Sequence, residues 1–544
     1  MSGPASIARV SRAALVVMSL TFVGVACADG ADPTRATADV GDETASALVP
    51  SSAIGPLHDL EGARMPQDEL AIAATADGWV VVLLANRRAL SARTSGLEQE
   101  LAPSADDERV VLLPVRHDGA LAAPLEVIAT PAMLGYGSVT RCGGRVWGTA
   151  TTTDNRESWV FRVEDDLSAL RVAHVVATGT SRSESSAPRV EVRSVDCVGG
   201  AAMFILFGDG PSRITLPSGD TIDGATSEGE AWHLVDADAL IDEGRLVATS
   251  RPGDFLDGLQ PGAGGTVLFT AFEVAGVSPS AVRVLRHDFG TGTTTPLVSP
   301  DLPASLFAIR YAEALDGPDA GRLAVLCARS QEEVTLEGVR VSDPLAGDFC
   351  VTFRDGHVLA HRAFRGIVPH DVRIGDGLVW FSGTLAESDP ALGDAADGHA
   401  AFVVALDPTT IEPRLTRLVS APELDTGPRA LVAASAGCPA PGMMLETEGR
   451  ARPDAASRTV VVRDVVVGAD GVECEAEVVT AHGVHAFLSP LLLGPRAPEG
   501  CAARRLALLA PGTTLDLDSG STPAPVGAFG VQVISPAGCV VVDR

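Results

Sequence analysis

Four arginines occupy the same place in four similar stretches of the sequence, shortly before a turn. The stretches read "SVTRC", "VEVRS", "FAIRY" and "DVRIG" and contain Arg141, Arg193, Arg310 and Arg373. A guanidinium group offers a planar fork of donors that fits carboxylates and phosphates. If the four stretches line one channel, these arginines predict an anion-binding site. In the alternative, each arginine pairs with a nearby carboxylate such as Asp196, Asp371 or Glu313, because buried charges are normally paired.

Nine cysteines form the second group with possible chemistry. Cys27 stands apart, and the remaining eight are an even number, which predicts disulfides in an exported chain. The turn spacing predicts the pairs Cys142–Cys197, Cys327–Cys350, Cys438–Cys474 and Cys501–Cys539. The rival set joins Cys438 to Cys501 and Cys474 to Cys539, and it requires two outer strands to meet. The sequence has no C-x-x-C motif, so these thiols do not predict a metal site.

Common catalytic motifs are missing from the sequence. It contains no G-x-S-x-G, no H-E-x-x-H and no glycine-rich phosphate loop. The pairs His357/His361 and His482/His485 lack a third metal ligand, and "DLDSG" from Asp516 lacks the distal ligands of a calcium loop. All basic residues are arginines, which excludes Schiff-base chemistry on a lysine. We therefore predict no catalytic residue, metal or cofactor.

A turn with glycine, followed by an apolar run, recurs eight times and indicates the scaffold. Examples are "GGRVWGTA" from Gly143, "GGTVLFTA" from Gly264 and "DGLVWFSGT" from Asp376. The turn glycines are Gly78, Gly144, Gly200, Gly265, Gly321, Gly377, Gly442 and Gly500. Each unit reads as four short strands with alternating apolar and polar residues. The pattern predicts an all-β protein, a β-propeller of eight four-stranded blades, with seven blades as the alternative if an end unit is irregular. Its innermost strands, which carry the four arginines, would line a central channel.

The N-terminal residues predict export. Arg9 and Arg12 precede the apolar stretch "AALVVMSLTFVGVA", which is too short to span a bilayer and is typical of a signal peptide over residues 1–26. The small residues before Cys27 resemble a bacterial lipobox, which implies a lipid on that thiol; ordinary cleavage and secretion is the alternative. Residues 27–66 are acidic and poor in bulky side chains, which predicts a disordered tether. Residues 67–544 would form one propeller domain.

Charge and composition limit the partners. The formal net charge of −29 disfavours nucleic acid. Aromatic residues make up 4% of the chain, which disfavours a carbohydrate-stacking surface and leaves a protein or a small anion as ligand of a monomer. The acidic stretches "AESDPALGDAADG" and "PSGDTIDGATSEGE", placed between second and third strands, predict solvated hairpins. A partner would dock most naturally on such loops.

Two long stretches carry a family resemblance. The segments "VWFSGTLAESDPALGDAADGHAAFVVALDPTT" and "MFILFGDGPSRITLPSGDTIDGATSEGEAWHLVDAD" resemble the repeats of bacterial secreted β-propeller lipoproteins of the SBBP type. The resemblance implies a propeller and secretion, and it implies no activity. We therefore expect a lipid-anchored propeller that acts as a binding or scaffold module at the cell envelope, anchored to the membrane through its N-terminal lipid. A hydrolase or lyase with its active site in the channel is the alternative.

Overall fold

The computed structural model describes residues 53–541, apart from a set of short segments. Those segments are 65–70, 86–89, 95–96, 103–106, 179–187, 225–229, 250–253, 276–277, 299–301, 343–346, 395–398, 421–423, 434–441, 452–457, 469–472, 484–490, 496–503, 518–519, 522–525 and 536–539. The predicted signal peptide and Cys27, the predicted site of lipid attachment, lie outside the described residues. Cys438, Cys501, Cys539 and His485 also lie outside them.

The described chain is built almost wholly of antiparallel strands, in blades whose strands run from innermost to outermost along the sequence. We call the segment between the second and third strands of a blade its arm. Strand β1 (Ala53–Glu61) comes first and belongs to a closing sheet. Blade 1 has β2 (Ala63–Arg64), β3 (Ile72–Ala74), β4 (Gly78–Ala85), arm strands β5 (Leu90–Thr94) and β6 (Leu97–Ala102), β7 (Glu108–Arg116) and β8 (Leu125–Thr130). Blade 2 has β9 (Leu134–Cys142), β10 (Arg145–Thr152), β11 (Glu157–Glu164) and β12 (Arg171–Ala177).

The next three blades follow the same order. Blade 3 has β13 (Arg189–Val198), β14 (Ala201–Asp209), arm strands β15 (Ser212–Thr215) and β16 (Thr221–Asp223), β17 (Glu230–Asp236), helix α1 (Ala237–Glu243) and β18 (Ala248–Thr249). Blade 4 has β19 (Asp254–Pro261), a 3-10 turn (Ala263–Gly265), β20 (Val267–Ala275), β21 (Ser278–Asp288), β22 (Thr293–Pro296) and β23 (Leu302–Pro303). Blade 5 has β24 (Leu306–Glu313), β25 (Leu323–Ser330), arm strands β26 (Thr335–Leu336) and β27 (Val339–Arg340), β28 (Gly347–Arg354) and β29 (His357–Arg365).

Two further blades and the closing sheet complete the ring. Blade 6 has β30 (Ile367–Gly375), β31 (Leu378–Leu385), β32 (Ala400–Leu406) and β33 (Pro413–Val419). Blade 7 has β34 (Leu424–Ala433), β35 (Gly442–Ala451), β36 (Arg458–Gly468) and β37 (Glu473–Gly483). The closing sheet has β38 (Leu491–Leu493), β39 (Arg505–Leu509), arm strands β40 (Thr514–Leu517) and β41 (Gly520–Ser521), and β42 (Gly530–Ser535), and the short strand β43 (Val540–Val541) ends the described chain.

Middle strands are apolar on both faces because each blade packs between two neighbours. In β4, Val81 and Leu83 pack toward the closing sheet, whereas Val80 and Val82 pack toward blade 2. Similar apolar clusters lie between each further pair of neighbouring sheets. The period of two along a strand therefore supplies a separate core on each side.

Strand β1 closes the ring. It pairs with β42, with His58 opposite Val531, so the first strand of the described chain and the last strand but one share one sheet. The predicted tether boundary at residue 66 is therefore wrong, since β1 already belongs to the ring at residue 53. The prediction of an all-β propeller is confirmed. Seven blades come from continuous stretches of chain, as the seven-blade alternative allows, whereas the last repeat unit supplies β38, β39 and β42 to the closing sheet and β1 adds the fourth strand.

Three arms cover the outer edge of the preceding sheet. Strands β5 and β6 extend the closing sheet through β1, and β15 and β16 extend blade 2 through β12. The closing-sheet arm likewise extends blade 7 through β37. An outer strand would otherwise expose a row of unpaired backbone groups. In the arm of blade 3, β15 and β16 form the predicted hairpin with exposed residues in β16, and its pairing with blade 2 through β12 was not predicted.

Two predicted disulfides are confirmed, and the placement of the last strand is corrected. The Cys142–Cys197 bond joins the first turns of blades 2 and 3, and the Cys327–Cys350 bond links directly opposed residues of β25 and β28. The predicted Cys501–Cys539 pair places the stretch from Cys539 in its own unit. Instead, β43 pairs with β37 of blade 7, because β1 already occupies the outer position of the closing sheet.

The helices of the described residues are short. None of them combines the length and the hydropathy that a membrane crossing requires.

Candidate channel-wall site

The innermost strands of blades 3 to 7 share a β-bulge near their middle. The register shifts fall at Val192/Val195, Asp257/Gln260, Phe307/Arg310, Pro369/Asp371 and Pro428/Ala430. A bulge inserts extra residues opposite the partner strand, bends the strand and re-aims its side chains. The polar residues of the channel wall lie in or next to these bulges. We define the channel cluster as Arg193, Asp257, Gln260, Arg310, His370, Asp371 and Arg373.

Arg373 connects two blades that are not neighbours. Its Nε and Nη2 donate to Oδ2 of Asp371 at 3.2 and 2.9 Å. Its Nη1 donates to Oε1 of Gln260 at 3.3 Å, which links blade 6 to blade 4 past blade 5. Asp371 is 9% exposed at its side chain, so this ion pair is largely shielded from water. The predicted pairing of an arginine with Asp371 is therefore present.

Arg310 ties blade 5 to blade 6. Its guanidinium donates to the carbonyl oxygen of His370 and, at 2.9 Å, to that of Ile309. Burial lowers the pKa of Arg310, and the carboxylates of Asp371 and Asp257 oppose this shift. The side chain thus stands between an acid of blade 6 and an acid of blade 4.

Arg193 lies against aromatic rings at the junction of blades 3 and 4. Its guanidinium carbon is 4.6 Å from the ring centre of Trp232 and 5.4 Å from that of Phe255. Its Nε is 3.6 Å from Oε1 of Glu191, beyond hydrogen-bond distance. This Nε is buried and has no hydrogen-bond partner among the described residues. A cation stacked on two rings is stabilised by their quadrupoles.

Asp257 is the acid of the channel cluster whose surroundings shift its pKa. Burial raises its pKa, while Arg193, the backbone N–H of Gly258 and Arg310 act in the opposite direction. Gly258 follows in the left-handed conformation, with φ of 70°. A Cβ there would lie 2.9 Å from the hydroxyl oxygen of Tyr311, which donates to the Gly258 carbonyl. Only glycine fits this position without displacing Tyr311.

His370 is the unpaired bulge residue of β30. Burial lowers its pKa to about 4; Asp371 opposes the shift, and Arg310 and Arg373 add to it. The ring is therefore neutral at neutral pH. Its Nδ1 is buried and has no hydrogen-bond partner among the described residues.

The fourth predicted arginine lies elsewhere. Arg141 forms a forked ion pair with Asp165 of its own blade, with donor distances of 2.7 and 3.1 Å. Glu313, named above as a possible partner, instead contacts Arg286 and accepts from the backbone N–H of Ala263. The structure thus groups Arg193, Arg310 and Arg373 with one another and not with Arg141.

Sequence reasoning missed Asp257, Gln260 and His370. "FLDGLQP" and "IVPHDVR" belong to the same strand position of their blades, but the bulges differ in length and break the alignment. An Asp-Gly pair inside a strand pattern was the available signal, because it often marks a bulge.

The histidine and aspartate motifs form isolated pairs. His482 lies 3.0 Å from Asp516, and His357 lies 2.8 Å from Glu337. Among the described residues, no three potential metal ligands come together.

Comparisons with known proteins add two structural likenesses. No family model and no curated protein matches the sequence. The WD40 domain of SCAP from fission yeast is similar with a TM-score of 0.38 and 10% identity, covering 89% of this chain and 98% of that one. Quinohemoprotein alcohol dehydrogenase from Comamonas testosteroni is similar with a TM-score of 0.31 and 10% identity, covering 88% and 76%. Both scores are low, so the propeller assignment rests on the sheets described above.

Proposed function

We propose that this chain is an exported β-propeller, anchored by a lipid on Cys27, that acts as a binding or scaffold module at the bacterial cell envelope. Residues 28–52 would be the tether between the lipid and strand β1. The ring would present its arms to a protein partner and its channel to a small anion. Secretion without the lipid remains the alternative location.

The two disulfides support the compartment. Disulfides persist outside the reducing cytosol, so the Cys142–Cys197 and Cys327–Cys350 bonds favour an extracellular or periplasmic protein. The N-terminal signal pattern favours export on independent grounds.

One observation carries the scaffold role: the charged groups of the channel wall hold blades together. Arg373 bridges Asp371 and Gln260, and Arg310 binds backbone carbonyls of blades 5 and 6. Side chains that bind groups on other blades in this way hold the ring rigid. A rigid ring that displays loops is the usual arrangement for recognition.

A second candidate, a hydrolase or lyase, is favoured by Asp257 alone. A partly buried acid with a raised pKa beside arginines is a common feature of active sites. In that case, replacement of Asp257 by Asn would abolish turnover of a captured substrate and leave its capture intact. A scaffold would show no turnover with either version.

The experiment uses residues 28–544 as immobilised bait for an envelope extract. Partner capture is compared between E387Q, in the exposed arm of blade 6, and D376N, in the first turn of the same blade. Both variants remove one negative charge, but from opposite faces, and Asn tolerates the φ of 53° at position 376. We expect a partner that E387Q releases and D376N keeps. Equal loss in both variants, or no saturable partner, would contradict docking on the arms.

A further inference from the structure

The channel cluster, taken with the neighbouring Glu191, carries three positive charges and up to three negative ones. Arg193, Arg310 and Arg373 supply three positive charges. Glu191 lies beside Arg193, and Asp371 is paired with Arg373. Asp257 decides whether the sum is zero or one, because it is the third acid that acts on these guanidinium groups.

Asp257 meets charged and titratable groups from each strand packed around it. Those groups are Arg193 on β13, Arg310 and Tyr311 on β24, and, beyond Arg310, His370, Asp371 and Arg373 on β30. His370 is neutral above about pH 4 and adds no charge. The phenol of Tyr311 also stays neutral, because burial raises its pKa well above the usual value. With Asp257 protonated, one positive charge remains uncompensated.

We propose that the channel cluster binds a small monocarboxylate beside Arg193 and Asp257, and that binding is coupled to protonation of Asp257. The ligand carboxylate accepts from Nε of Arg193, which is buried and has no hydrogen-bond partner among the described residues. Protonated Asp257 donates to the other carboxylate oxygen. The proposal rests on the binding role proposed above.

The charge count selects a monoanion over a phosphate dianion. One uncompensated positive charge balances one carboxylate, whereas a dianion would leave a net negative charge beside Glu191, whose Oε1 is 3.6 Å from Nε of Arg193. A carboxylate also offers two separate oxygens, one for the Nε–H of Arg193 and one for the O–H of Asp257. Chloride has the same charge but offers a single acceptor atom.

The coupling fixes the sign of the pH dependence. Burial raises the pKa of Asp257 above its ordinary value. Above that pKa the empty site must take up one proton for each ligand bound, so affinity falls about tenfold per pH unit. Below that pKa the affinity is constant.

The test is calorimetric titration of residues 28–544 with sodium acetate from pH 5.5 to 8.0 at constant ionic strength, with chloride and phosphate as comparison anions. We expect saturable acetate binding that weakens with rising pH, and at least tenfold weaker binding in R193Q. The matched control is R141Q, which alters the predicted arginine outside the channel cluster and leaves acetate binding unchanged. D257N should bind acetate with no pH dependence.

If acetate does bind, three further outcomes would overturn the proposal. These are equal weakening by R141Q and R193Q, an unchanged pH slope in D257N, and tighter binding of phosphate than of acetate. Circular dichroism and thermal melting in chloride verify that the variants fold. If R193Q does not fold, D257N still tests the coupling. If acetate fails to bind while capture still depends on Glu387, the anion site is wrong and the envelope module stands.

Discussion

Arg373 of blade 6 donates to the side-chain oxygen of Gln260 of blade 4 at 3.3 Å, although blade 5 lies between them in the ring. A hydrogen bond between blades 6 and 4 restrains the orientation of blade 5, which lies between them. Arg373 also neutralises Asp371, whose side chain is 9% exposed. The two contacts of this one side chain should therefore differ in energy.

Variants at the two ends of this bridge separate its hydrogen bond from its ion pair. Q260L removes a neutral acceptor and should cost about 1 kcal/mol of unfolding free energy. R373M leaves Asp371 without its ion pair and should cost roughly 3 kcal/mol. Urea unfolding of both variants measures the difference. Equal losses of unfolding free energy would show that the ion pair with Asp371 contributes no more than the hydrogen bond to Gln260.

Asp348 predicts a decrease of stability as the pH rises toward neutrality. Burial raises its pKa to about 7, and Arg329 and the backbone N–H of Ile367, which donates at 3.1 Å, only partly oppose the shift. Between about pH 4 and 7 the unfolded chain ionises this carboxyl and the folded chain keeps its proton. Folding stability contributed by Asp348 is therefore present at low pH and is lost as the pH passes through 7.

D348N should remove this decrease. Its amide oxygen still accepts from Ile367, and no charge forms at high pH. We expect D348N to be more stable than the wild type at pH 8, by roughly 1 to 3 kcal/mol, and to differ less at pH 5. Denaturant midpoints at the two pH values measure this. D389N is the control, because it alters another carboxylate that accepts from a backbone N–H, in this case that of Arg365; a similar gain in both variants would rule out the effect of ionisation.

The anchoring proposal has a separate test. Changing Cys27 to Ser removes the only thiol near the predicted cleavage site. We expect the wild type in the membrane fraction and C27S in the soluble exported fraction or as an unprocessed chain. Fractionation and intact mass measure both properties. Membrane association and normal cleavage of C27S would contradict a lipid on this residue.

The fold could be predicted from the sequence because each blade strand carries a recognisable local pattern. The turn glycine before β31 and the apolar run "LVWFSG" need no distant partner to be recognised. Strand β1 was missed for the opposite reason. "AIGPLHDLE" contains a proline and two acids, and its pairing with β42, more than 450 residues later, is a contact that no local pattern predicts.

The channel cluster was predicted only in part, because its contacts also depend on features that the local pattern does not show. The four arginines share a sequence position, but side-chain direction in a strand changes with each residue. Bulges of different length before Gln260 and Asp371 shift that direction from blade to blade. Alignment by the turn glycines therefore grouped Arg141 with the arginines of the channel cluster, although Arg141 lies outside that cluster.

The remaining cysteines give the last prediction, and two observations favour the rival pairing over pairs within one unit. The Cys142–Cys197 bond links the first turns of neighbouring blades. Cys438 and Cys501 have the same positions in the sequences of blade 7 and the closing sheet. The second observation is that β43 pairs with β37, with Val541 opposite Cys474 in the backbone register.

We therefore expect Cys438 to pair with Cys501 and Cys474 with Cys539, although Cys438, Cys501 and Cys539 lie outside the described residues. The second bond would hold β43, which has only two residues and would otherwise detach readily. Closing a loop of this size restricts the unfolded chain by roughly 4 kcal/mol in the chain-entropy model. Peptide mapping without reduction measures the pairing directly. C474S/C539S should expose the C-terminus to carboxypeptidase, while C142S/C197S should leave it protected; a peptide that joins Cys501 to Cys539 would restore pairing within one unit.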